Sequence, residues 1–180
     1  MRVAARDGLE GISLRHVGAE AGVTSGMVQH YFPTKDAMMH HAMDLAGEYF
    51  AERMSAAEVP ESAPVRDRVR TLLQLLLPMD ERARDAGLVS LAFVAYAATN
   101  EAAAGKLGHG NSQMRDYLGH LLSRARDDGR LAADVDPDQA AVALLAATDG
   151  LALHCITGGL APETAAVALD HQVSLLFAET

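Results

Sequence analysis

Between residues 13 and 35 the chain reads as two short helical stretches separated by a glycine, and no other segment constrains the fold as tightly. Ser13 can cap a helix whose apolar positions Leu14, Val17 and Ala21 recur on one face, and Gly22 can take the left-handed conformation that ends it. Val23 is expected to turn into the core. Thr24 then caps a second helix that buries Val28 and Phe32 and leaves Ser25, Gly26, Gln29, His30 and Tyr31 outside, until Pro33 stops it. Ala21 is small where two such helices would cross closely. Thr34 caps a third helix with Lys35 in its first turn.

The outward residues of the second helix are short and hydrogen-bonding, which suits base edges and phosphate oxygens. Two helices joined by a tight turn are also the arrangement that lays one helix in the major groove of DNA. Gly26 allows close approach of the backbone to a sugar-phosphate chain, and Lys35 with the amides of the helix opened by Thr34 is placed to meet a phosphate.

The runs Gly22-Val23-Thr24-Ser25-Gly26 and Tyr31-Phe32-Pro33-Thr34-Lys35-Asp36-Ala37-Met38 resemble the DNA-binding signature of TetR-family transcriptional regulators. Thr148-Asp149-Gly150-Leu151-Ala152-Leu153-His154 is similar to the BetI-type C-terminal domain. The resemblance implies DNA contacts from Thr24, Ser25, Gly26, Gln29, His30, Tyr31 and Lys35, and Ser13 joins this candidate set from the helix start. Gln29 stands where an aromatic is frequent in the family, and Gly18 where alanine is usual.

The rest of the chain supports an all-α fold. Hydrophobic residues make up 49% of the 180 positions, enough for a packed core, while aromatics are only 4%, Trp is absent and β-type alternation is rare. A single cysteine, Cys155, precludes an internal disulfide, and no apolar leader is seen, so the cytoplasm is the expected compartment. The apolar stretch from Gly87 to Thr99 is shorter than the roughly 20 residues of a membrane helix, and no membrane span is expected. The net charge is −9; residues 1 to 47 set Arg2, Arg6, Arg15 and Lys35 against Asp7, Glu10, Glu20, Asp36 and Asp44, so most of the acid lies beyond them. That is a weak electrostatic footprint for a DNA binder.

About nine helices are expected: a helix-turn-helix domain over 1–47 and a helical bundle for effector binding and dimerisation over 48–180. Arg2 to Gly8 reads as the last turns of a truncated first helix. The later helices are expected at about 35–57, 64–77, 80–106, 112–128, 137–157 and 162–178, with the glycines of 105–110 as a break. The last two are apolar on more than one face and call for a partner, so a homodimeric four-helix interface through Leu144, Leu151, Leu169, Val173 and Leu176 is expected. Phe93, Tyr96, Met114, Tyr117 and Asp149 are candidates for a ligand pocket.

His40 and Asp44 lie four apart, but a metal site needs more ligands, so neither metal nor cofactor is expected. No nucleophile elbow, zinc-protease motif or phosphate loop marks an enzyme. The expected partners are double-stranded DNA with inverted half-sites, a small-molecule effector and a second copy of the chain. A dimeric helical adaptor or ligand-binding protein without DNA binding is the alternative, raised by the weak charge and the short first helix.

Overall fold

The computed structural model describes residues 14–57 and 59–178. Ser13 and the expected helix before Gly8 lie outside these residues. Eight helices are present among the described residues: α1 (Leu14–Ala21), α2 (Ser25–Tyr31), α3 (Lys35–Ala56), α4 (Val65–Gln74), α5 (Glu81–Ala97), α6 (Glu101–Asp127), α7 (Pro137–Ile156) and α8 (Pro162–Ser174). Among the described residues no strand accompanies them; one bridge there pairs Leu131 with Phe177 and holds the segment after α8 beside the end of α6.

Side-chain caps start most of these helices. Thr24, Thr34, Asp80, Asn100 and Asp136 each accept a backbone N–H three residues on, which satisfies a donor that a helix start leaves unpaired. Asn100 is the consequential one. Sequence spacing ran one helix from 80 to 106 and broke the chain at the glycines that follow. Instead the chain turns at Ala98 to Asn100 and continues as the 27-residue α6 straight through Gly105, Gly108 and Gly110. Interior glycines cost about 1 kcal/mol each relative to alanine. Burial of Ala103 at one end and of Leu118, Leu121, Leu122 and Ala125 at the other outweighs that cost. Between the anchors, Gly108, His109, Gly110 and Asn111 are exposed on every side.

Two apolar cores result. The larger is built by α4, α6, α7 and α8 around Val69, Leu73, Leu118, Leu122, Leu144, Leu169 and Val173. The smaller joins Val28 of α2 and Met38, Met39 and Ala46 of α3 to Val89, Phe93 and Ala97 of α5 and Ala103 of α6. The domain boundary expected at residue 47 therefore falls inside a continuous helix, and the smaller core draws on both sides of it. α7 is long and apolar enough to cross a membrane by length and composition, more so than the Gly87 to Thr99 stretch; here it packs against α5, α6 and α8.

Candidate nucleic-acid interface

Gly22 ends α1 with φ +68°, as its position requires. The close crossing is made at Gly18 and not at Ala21, which is exposed. A Cβ on the buried Gly18 would lie 2.9 Å from the carbonyl oxygen of Val23 and 3.3 Å from the amide nitrogen of Ser25. Because the turn packs its backbone on Gly18, the side chain of Val23 stays partly exposed and does not enter the core.

Thr24 Oγ1 accepts from the Met27 amide at 3.2 Å and starts α2, which buries Val28 and half-buries Phe32. Ser25, Gly26, Gln29, His30 and Tyr31 are all exposed, Tyr31 at 73%. The ring of His30 meets that of Tyr31 edge-on at 5.5 Å. Met27 is half-exposed on the same helix, four residues before Tyr31, a member of the outward face that sequence spacing missed. Its position one residue before the inward Val28 was the available signal. Thr34 Oγ1 accepts from the Ala37 amide at 3.0 Å, and Lys35 is exposed at the start of α3.

α3 carries this unit and is fastened at both ends. Near its start, Tyr96 of α5 donates its hydroxyl hydrogen to the Asp36 carboxylate, and Asn100 Nδ2 donates to the same hydroxyl oxygen at 2.8 Å. The bond to Asp36, with burial second, raises the Tyr96 phenol above its ordinary value. One and two turns further, Lys106 of α6 donates to the His40 carbonyl at 3.3 Å and to Asp44 at 2.5 Å. His40 also lies edge-on to Phe93 and His41 against Phe32, so the helix face considered for metal is engaged in packing. Near the other end, Arg53 donates to the Leu75 carbonyl at 2.5 Å, where a cation also suits the negative end of α4. Arg82 lies over the Tyr49 ring at 4.3 Å, and the Tyr49 hydroxyl donates to Asp80. Burial is the main cause that raises the Tyr49 phenol.

The five pocket candidates are not brought together. Phe93 and Tyr96 belong to the smaller core beside α3, where Phe93 is fully buried. Met114 packs on the larger core, and Tyr117 lines a cleft between α3, α4 and α6. Asp149 is exposed on the outer side of α7, yet the surrounding protein desolvates its carboxyl enough to raise it above the ordinary 3.8. Three of the five expected interface residues turn inward. Leu144, Leu169 and Val173 are buried within the protomer, and Leu151 and Leu176 pack against the same core. Helix periodicity located the apolar stripe correctly but not which of two apolar faces turns inward. The outer faces carry Val142 and Leu153 on α7, and Val167 on α8 with Leu175 just past its end, the latter two 71% and 60% exposed.

Residues 1–42 match the family described as bacterial regulatory proteins, tetR family, and residues 64–178 match the C-terminal domain of BetI-type transcriptional repressors. The HTH-type transcriptional regulator PksA of Bacillus subtilis is 32% identical over 156 residues, covering 86% of this chain and 74% of PksA. A transcriptional regulator from Rhodococcus sp. Rha1 superposes with a TM-score of 0.84 at 33% identity, over 97% of this chain and 90% of its own. A regulator from Saccharomonospora viridis, crystallised with choline, shares the fold at 22% identity and TM-score 0.85, over 99% and 93% of the two chains. The capped, outward-facing α2, the α3 that carries it into a helical bundle, and matches to both halves lead to one assignment: the chain belongs to the TetR family of DNA-binding transcriptional regulators.

Proposed function

We propose that this regulator is a homodimeric repressor of the cytoplasm that holds inverted half-sites with its two α2 helices and lets go when a small molecule occupies the bundle. The observation that carries this reading is the double fastening of α3. With Asp36 held by Tyr96 and Arg53 held at the Leu75 carbonyl, a shift of α4 or α5 is delivered to the helix that bears α2. Gln29, His30 and Tyr31 would read base edges, Met27 would meet a thymine methyl, and Ser25, Gly26 and Lys35 would meet the backbone. The apolar outer faces of α7 and α8 supply a two-fold contact, with Val167 and Leu175 at its centre. The choline complex of the structural relative supports a bundle able to hold a small ligand.

Selection from a random duplex library tests the reading. The expected product is a motif of two inverted half-sites about one helical turn, or a small multiple, apart. Gln29→Ala should change preference at one base pair by roughly 1 to 3 kcal/mol. Lys35→Ala should weaken all duplexes alike and lower the salt slope by about one. Return of no enriched motif would refute DNA recognition by this chain.

A further inference from the structure

The turn between α1 and α2 is locked onto one residue of α1. The Val23 amide donates to the Gly18 carbonyl at 2.9 Å and the Gly22 amide to the Ala19 carbonyl at 3.3 Å. With Gly22 in the left-handed conformation, these two bonds form a Schellman ending of α1. The chain then folds back over the buried Gly18. A Cβ there would meet the Val23 carbonyl oxygen at 2.9 Å, and the Thr24 carbonyl carbon and the Ser25 nitrogen at 3.3 Å each. All three are backbone atoms, so no side chain can swing aside to admit a methyl group. They also lead directly into the Thr24 cap that starts α2.

Hydrogen bonding does not ask for glycine at this place. Any residue offers the carbonyl that accepts from Val23, and alanine is the better helix former inside α1. The missing Cβ is what the crossing uses. We propose that Gly18 is a positioning residue for DNA recognition: it seats the first turn of α2 closer to α1 than alanine allows, and so sets the depth and tilt at which Gln29, His30 and Tyr31 meet base edges. The inference rests on the reading of α2 as the base-reading helix. Hydrogen bonds to base edges need donor and acceptor within about 2.7 to 3.2 Å, whereas the attraction between a cation and a phosphate falls off slowly with distance. A displaced α2 therefore loses contacts that specify sequence and keeps those that do not.

Titration of a selected operator and of random duplex of equal length with the parent chain, Gly18→Ala and Gly47→Ala tests this. Gly18→Ala should lose about tenfold or more in operator affinity, with random-duplex affinity and salt slope within about twofold of the parent. Gly47→Ala adds the same methyl group to α3 where a Cβ meets no atom within 4 Å, and it should bind as the parent does. Amide exchange gives a readout without DNA: the Val23 amide should exchange faster in Gly18→Ala while α7 is unchanged. If Gly18→Ala instead disorders residues 14–31 with α7 still protected, the crowding is supported, because alanine in an open helix adds stability. A folded Gly18→Ala chain with the parent's Val23 exchange, with its ratio of operator to random affinity, or with equal losses on both duplexes overturns the proposal. A parent chain that selects no operator overturns base reading by α2 as well, whereas one whose operator binding survives Gly18→Ala loses only the role of Gly18.

Discussion

The Tyr96 hydroxyl donates to the Asp36 carboxylate, which joins the end of α5 to the first turn of α3, one residue past Lys35. Tyr96→Phe removes the donor and keeps the ring against Phe93. Backbone amides of residues 38–42 should then exchange with deuterium faster than in the parent chain, while those of α7 stay as they were. Equal exchange in both segments would show that the bond does not hold α3.

Among the described residues Phe93 is the largest fully buried side chain, and it sits where α3 meets α5. Phe93→Ala should cost ~3 to 5 kcal/mol of stability, the range for aromatic truncation in a packed core. The loss belongs to the smaller core, so DNA binding should fail at a lower temperature than the helical signal of the bundle. Parallel melts followed by duplex binding and by circular dichroism check the order.

A charge placed at Val167 and one placed at Leu169 should have opposite outcomes. Val167 is 71% exposed on α8 and Leu169 fully buried. Val167→Glu should leave a folded chain that sediments as a monomer, whereas Leu169→Glu should unfold it by stranding a carboxylate in the core. Sedimentation velocity with circular dichroism distinguishes them, and a dimeric Val167→Glu chain would remove the outer face of α8 from the contact.

Asp149 supplies a pH dependence of known sign. Desolvation raises its carboxyl in the folded chain, so the charged form disfavours the fold. Its favourable contribution is complete below the ordinary aspartate range and is lost as pH rises through the raised value. Asp149→Asn should therefore raise the melting temperature near neutral pH and have little effect under acid conditions. A variant with the same difference at both extremes would contradict this account.

Local chemistry made the two short helices and their turn legible in the sequence. Gly22, Thr24 and Thr34 act through their own backbone and neighbours, so their roles follow from type and spacing. Relationships between distant segments were hidden. Nothing near Gly18 announces that the Val23 carbonyl packs on it, and nothing near Gly105 announces that Lys106 is bonded to Asp44 sixty-two residues earlier. The outer and inner faces of α7 are both apolar, so periodicity could not rank them; only the position of α6 and α8 decides that Leu144 faces in and Val142 out. The pocket candidates are scattered for the same reason, since aromatic and methionine side chains serve either core.

The glycines of α6 have a mechanical consequence. A Cβ at Gly105, Gly108 or Gly110 would meet no neighbouring atom within 4 Å, so close packing does not demand glycine there. The turn from Gly108 to Asn111 also has solvent on every side. It is a length of helix with low intrinsic propensity and no lateral support, clamped to α3 at one end and to the bundle at the other. Such a rod is compliant at one place and stiff elsewhere. Amide exchange is expected to be fastest in that turn, between two ends held by separate apolar cores.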